Sequence, residues 1–269
     1  MKNTYELILL LHQFHAFSFV YFFAALGRMG DGAARHATAT AAAIRCKQIK
    51  ISLLSGGNHA RIYGQENLYK ALEDRPANTP LITVANHHSC MDEPLIWGCL
   101  KVKHLTNSLL MRWAVAAHNI CFTRRFHSWF FAYGKSVPVV RGDGVNQPGV
   151  DFMIDRLNEG HWVHLYPEGQ VNLNKDNMRI KWGVGRLIAE SQVPPIVIPI
   201  YHLGMDKVLP NQTPYIPRMG QKVTLVIGKP IDLNDTLEEL KTRQASDEEK
   251  RLVLTNVVQN ALHQLRITA

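Results

Sequence analysis

Leu81-Ile82-Thr83-Val84-Ala85-Asn86-His87-His88-Ser89-Cys90-Met91-Asp92-Glu93-Pro94 is an apolar run, a polar turn and a proline in quick succession. A regular helix advances about 100° per residue, so positions five apart sit roughly 140° around its axis and His87 cannot meet Asp92 on one helix face. The two converge if residues 81–85 form a strand, His87 lies in the turn after it, and a helix begins near Asp92. Pro94 supports that register, because proline is tolerated in a first helical turn and disfavours helical geometry in the residue before it. A carboxylate paired with an imidazole fixes its tautomer and stabilises the imidazolium formed when it takes a proton, which makes a general base. A polar turn capped by Ser89 or Asp92 would explain the same residues without chemistry.

Outward from this stretch, strands and helices alternate. Leu95-Ile96-Trp97 and Cys99-Leu100 continue an apolar helix, and Leu109–Ala117 reads as a core helix whose Arg112 snorkels. Val137–Val140 reads as a strand ended by the turn Arg141-Gly142-Asp143-Gly144. Val150, Ile154 and Leu157 recur at helical spacing before Gly160. Trp162–Tyr166 forms a strand running into Pro167-Glu168-Gly169, a short helix surrounds Gly185–Glu190, and 196–201 and 223–227 are further strands. Arg61–Pro80 mixes helix formers and ends in a proline turn. Ser246 and Glu249 have capping-box spacing, opening a last helix with an apolar stripe through Leu254, Val258 and Leu262. The alternation predicts an α/β fold: a central, mostly parallel or mixed sheet flanked by helices, with functional turns gathered at strand ends.

Composition sets the frame. The 269 residues suit one domain, 58–269, after an N-terminal part, 1–57. Leu7–Leu26 is long and apolar enough for a membrane segment, spanning or interfacial, although His12, Gln13, His15 and Ser18 interrupt it; a buried helix is the alternative. From Gly32 to Gln65 there is no acidic residue, which reads as a basic connector. A net charge of +8 implies an anionic partner. With apolar runs beside the basic residues and no nucleic-acid motif, a membrane surface rich in anionic lipid is favoured over nucleic acid. The four cysteines form no CxxC pair, and no HExxH spacing occurs, so neither a metal site nor a cofactor is expected.

Besides His87 and Asp92, three turns carry residues suited to a phosphorylated substrate. Arg141 offers bidentate phosphate contact and Lys181 a point charge. Glu168 and Gly169 end another strand, where glycine lets backbone approach a headgroup. Solvated surface charges and a helix cap are the plain alternatives for each.

Taken together, these segments resemble the glycerolipid acyltransferase superfamily. HHSCMD is similar to its HX4D motif, Gly134–Arg141 to its second block, Tyr166-Pro167-Glu168-Gly169 to its Pro-Glu-Gly block, and Val197-Ile198-Pro199-Ile200 to its fourth, in family order. Segments between about Ile62 and Pro230 look like those of the transacylases that remodel cardiolipin. His88 stands where that family usually has glutamine, and Gln170 where lysine is common; motif register favours His87 over His88 as the base. The resemblance implies a phospholipid–lysophospholipid transacylase that moves acyl chains between phospholipids such as phosphatidylcholine and lysocardiolipin without acyl-CoA. It implies His87 as base, Asp92 as its support, Arg124, Arg141 and Lys181 as phosphate contacts, and Glu168 and Gly169 at the headgroup end. It also implies a mitochondrial membrane, inner or outer, facing the intermembrane space. Rival readings are an acyl-CoA-dependent lysophospholipid acyltransferase, a non-catalytic membrane scaffold, and an acyl-enzyme through Ser89 or Cys90, neither of which sits in a nucleophile elbow.

Overall fold

The computed structural model describes residues 57–213 and 215–269. The expected membrane segment at 7–26 and the connector as far as residue 56 lie outside them. Among the described residues no helix is long and apolar enough to cross a membrane.

The chain runs β1 (His59–Tyr63), α1 (Gln65–Glu73), β2 (Leu81–Ala85), α2 (Asp92–Ile96), α3 (Val102–Thr106), β3 (Trp113–Ala117), α4 (His118–Cys121), α5 (Arg125–Tyr133), β4 (Ser136–Val139), α6 (Pro148–Asn158), β5 (Trp162–Leu165), α7 (Gly183–Glu190), β6 (Ile196–Leu203), α8 (Met205–Val208), β7 (Lys222–Ile227), α9 (Asn234–Thr242) and α10 (Asp247–Thr268). Short 3-10 turns occupy Trp97–Cys99 and Ser108–Leu110. The strands form one sheet in the order β1-β7-β6-β2-β5-β3-β4. All neighbours are parallel except β6 and β7, so the sheet is mixed with a parallel core.

Every residue of β2 is buried, as a central parallel strand covered on both faces requires. Its side chains alternate between two cores. Ile82 and Val84 join a cluster with Met153, Leu187, Leu254 and Val258, beneath α6, α7 and α10. Leu81 and Ala85 join Leu68, Ile96, Trp97 and Leu225 on the opposite face. β2 lies between β5 and β6, aligned Leu81 to Trp162 and Ala85 to Ile200. The turns that leave β2 and β5, and the last residues of β6, therefore meet at one edge of the sheet, where α/β proteins place their sites.

Two expectations need correction. Leu109–Ala117 is not a helix: after a 3-10 turn, Trp113–Ala117 is strand β3. Apolar runs this short carry no decisive period, and pairing with β4 and β5 settles the matter. Arg112 does not snorkel either. It is 1% exposed and its Nε donates to Glu93 Oε1 at 2.6 Å. Within the domain, residues 59–63 form edge strand β1 against β7.

Candidate active site

The turn after β2 is folded around one buried oxygen. Asp92 Oδ2 accepts from His87 Nδ1 at 2.9 Å and from the backbone N–H groups of His88 and Ser89 at 2.7 and 2.9 Å. His202 Nε2 lies 3.3 Å from the same oxygen. Local geometry alone delivers the two amides, since residues 88 and 89 lead directly into the helix that Asp92 opens. Burial by itself would raise the Asp92 carboxyl, but His202 and His87 outweigh it and hold the group well below the ordinary carboxylate range. A carboxylate anchored by fixed donors stays charged, and it keeps the His87 Nδ1 proton in place. The proton-accepting lone pair is then on Nε2 of an imidazole whose side chain retains 17% exposure.

Three further groups position that imidazole. Tyr166, at the end of β5, stacks on it with ring centroids 4.3 Å apart. Glu168 Oε1 accepts the His87 backbone N–H at 3.1 Å, and the Asn172 N–H donates to the His87 carbonyl at 2.6 Å. The Pro-Glu-Gly turn thus grips the main chain of His87 from both sides. Glu168 is buried, which raises its carboxyl. On the β6 side, Asn86 and His202 clasp one another: His202 N–H donates to Asn86 Oδ1 at 2.8 Å and Asn86 Nδ2 donates to the His202 carbonyl at 3.0 Å. His202 Nε2 also lies 2.8 Å from the Asn86 carbonyl. With two acceptors beside it, Nε2 carries the proton. Burial works against the charged form of His202, yet the adjacent Asp92 raises its pKa.

A second buried network supports the first. Glu93 Oε1 accepts from Arg112 and from Trp97 Nε1 at 3.1 Å. His164 Nδ1 shares a hydrogen bond with Thr83 Oγ1 at 2.8 Å, and its ring meets Tyr166 edge-on with centroids 4.6 Å apart. Burial pushes the His164 imidazole down to about 4.

The structure brings some of the expected residues together and leaves others apart. His87, Asp92 and Glu168 form one contact group. His88 turns away into the interior, 2% exposed with its ring on Asn86, and burial pushes it down to about 4. Gly169 has φ +74°, and Lys181 packs its stem there: a Cβ on Gly169 would lie 3.3 Å from Lys181 Cγ. Lys181 is exposed and its backbone N–H donates to the Pro167 carbonyl at 2.7 Å, so it borders the Pro-Glu-Gly turn. Burial pushes the Cys90 and Cys121 thiols up, Cys121 to about 11, and the exposed Arg141 lies close enough to both to offset part of that rise. Arg124 is exposed ahead of α5, and no contact joins it to His87 or Asp92 among the described residues. Sequence reading missed Asn86, Tyr166 and His202 as positioning groups. Asn86 directly follows β2, and Tyr166 and His202 stand at the ends of the strands on either side of it, a signal available only once strand order is known.

A family model described as Acyltransferase matches residues 59–203. The chain is 47% identical to tafazzin of Drosophila melanogaster over 78% of this chain and 55% of that protein. It is 44% identical to the protein named taffazin of Dictyostelium discoideum over 55% of this chain and 54% of that one. The chain thus spans about half the length of these curated relatives. Among solved structures it is similar to the 1-acyl-sn-glycerophosphate (LPA) acyltransferase of Thermotoga maritima, with a TM-score of 0.53 and 20% identity over 96% of this chain and 95% of that one. That likeness bears on the fold. The family match covers more than half of the chain and contains the whole site from Asn86 to His202, and the chain belongs to the acyltransferase family.

Proposed function

We propose that this acyltransferase is a transacylase that moves acyl chains between phospholipids, such as phosphatidylcholine, and lysocardiolipin without acyl-CoA. The observation that carries the reading is the 2.9 Å contact of His87 Nδ1 with a buried, charged Asp92, which fixes the ring and turns Nε2 to the task of accepting a proton. His87 Nε2 takes the proton of the free glycerol hydroxyl of the lysolipid as that oxygen attacks the donor's ester carbonyl. The tetrahedral adduct collapses, the old ester C–O bond breaks, and His87 returns the proton to the departing glycerol oxygen. Asp92 stabilises the intervening imidazolium. Base assistance of this kind contributes about 10²- to 10⁴-fold in rate. Both reactant and product are glycerol esters, so exchange is close to thermoneutral and runs both ways.

Arg141, near Cys90, and Lys181, packed on Gly169, suit the phosphates of donor and acceptor. Arg124 contributes a third phosphate contact farther out. Glu168 and Gly169 act from behind, Glu168 by fixing His87 and Gly169 by giving room to the Lys181 stem. The tafazzin likeness supports the lipid substrates, and the positive charge supports a membrane surface rich in anionic lipid as the place of action. We further propose mitochondrial membranes, facing the intermembrane space, as the location.

The test is exchange of labelled acyl chains from phosphatidylcholine to lysocardiolipin, with and without added acyl-CoA. Transfer without acyl-CoA is expected. Transfer only with acyl-CoA would make the chain an acyl-CoA-dependent lysophospholipid acyltransferase, and no transfer at all under either condition would leave it a membrane-binding scaffold.

A further inference from the structure

From Pro94 to Gly142 there is not one Asp or Glu, against seven Lys and Arg. The fold disposes of four of those cations. Arg112 pairs with Glu93, Lys101 and Lys103 pair with Glu73, and Lys135 is buried with its ammonium on the Ser108 and Met111 carbonyls. Arg124, Arg125 and Arg141 remain exposed, with no acidic partner among the described residues. They surround an unusual run of exposed apolar surface. Phe126 is 61% and Ile120 56% exposed, and Trp129 and Val140 are exposed as well.

The helix concentrates these groups. At about 100° per residue, Arg125, Phe126, Trp129 and Tyr133 of α5 fall within an arc of about 100°. Trp129 lies 5.4 Å from Tyr133 and 6.4 Å from Phe126 between ring centroids, so the aromatics form one patch rather than scattered side chains. Scattered exposed apolar residues need no explanation, but a contiguous patch rimmed by exposed cations does. Phe131, on the far side of the helix, packs towards Phe122, which fixes the patch facing outward. Arg141 lies near both Cys121, in the helix just before α5, and Cys90, in the loop that holds the dyad.

We infer that α5, with Ile120 and the flanking arginines, is a docking face that seats the mouth of the site on an anionic bilayer, Phe126 and Trp129 entering the headgroup boundary. This rests on the proposed lipid substrates and goes further by naming the surface. Indole and phenyl rings suit the interface, where one side is apolar and the other wet. Arginines with no acidic partner among the described residues suit lipid phosphates, and each one near an anionic surface raises partitioning about fivefold. The absence of carboxylates over the whole segment removes the repulsion that an ordinary mixed surface would bring.

The test reads Trp129 directly and needs no turnover. Its emission is taken as the difference between the full chain and its Trp129→Phe variant, in vesicles of phosphatidylglycerol and phosphatidylcholine carrying brominated acyl chains. Expected is loss of most Trp129 emission in anionic vesicles and little loss in pure phosphatidylcholine. The Arg125→Glu/Phe126→Ser variant should keep its far-ultraviolet circular dichroism, weaken vesicle partitioning about fivefold or more, and keep its exchange rate on detergent-dispersed substrate. Unquenched Trp129 in anionic vesicles overturns the proposal, whether or not the chain sediments with them, and would point to a protein partner for this face. Quenched Trp129 in a chain that transfers no acyl group would instead sustain the docking face and remove the acyl-transfer reading.

Discussion

At the scale of single residues, the site is a matter of which groups hold His87. Glu168 accepts a backbone N–H rather than facing outward, so its charge is not what the geometry uses. Glu168→Gln retains an Oε1 acceptor and is expected to keep most activity. Glu168→Ala leaves the buried His87 N–H unpaired, at a cost of about 1–3 kcal/mol, and should lose roughly ten- to a hundredfold in rate; equal losses in the two variants would show that the carboxylate charge matters. His202 supplies Asp92 with a further donor, and His202→Phe removes it while keeping a ring. The expected result is a pH–rate profile whose acid limb moves upward, because less then opposes protonation of Asp92; an unmoved limb with only a lower melting temperature would reduce His202 to packing. The His87–Asp92 spacing was legible in the sequence because five positions exclude a shared helix face. The roles of Asn86, Tyr166 and His202 were not, since each depends on β2 lying between β5 and β6.

At the scale of elements, most strands and helices follow from local pattern, and the exceptions are instructive. Leu109–Ala117 is apolar with one arginine and fits either class until Glu93 supplies a partner for the buried Arg112. Removing that partner leaves the buried Arg112 charge behind, so Glu93→Leu should destabilise the domain by about 3–5 kcal/mol in denaturant titration. A loss below 1 kcal/mol would mean the pair contributes little beyond volume. The packing of α7 on α10 depends on Gly185. A Cβ there would stand 2.2 Å from the Arg251 carbonyl and 2.5 Å from Thr255 Oγ1. Gly185→Ala must part the two helices, and calorimetry should show a drop of about 1–3 kcal/mol, with α10 and the loop at 172–180 exchanging amide hydrogens faster. A close approach of that kind leaves no mark in sequence beyond a glycine in a helix.

At the scale of the whole molecule, buried histidines set the response to acid. His88 and His164 are both pushed down to about 4 by burial. In the unfolded chain they take protons near pH 6.5, so between about pH 6.5 and 4 the unfolded state binds more protons and stability falls as pH falls. Asp92, held low, adds to the loss only at lower pH, and His202, raised, contributes stability that is lost as pH rises above 6.5 through its folded value. The melting temperature should therefore decline from pH 6.5 to 4, and His164→Gln should flatten the slope; an unchanged slope would place the acid sensitivity elsewhere. Fold class and the order of the functional turns were readable from the chain at this scale, because each turn follows a strand. The distribution of charge was not, since only the structure separates the cations that are paired from those left exposed at Arg124, Arg125 and Arg141.

The account rests on His87 being the base and its neighbour His88 an interior group. Purified His87→Gln and His88→Gln proteins, matched to the unsubstituted chain by circular dichroism, decide this in the labelled phosphatidylcholine-to-lysocardiolipin exchange assay. The predicted result is a fall of about 10²- to 10⁴-fold for His87→Gln and less than about tenfold for His88→Gln. A His87→Gln protein exchanging acyl chains at nearly the original rate, or a His88→Gln protein as inactive as it, would contradict the account.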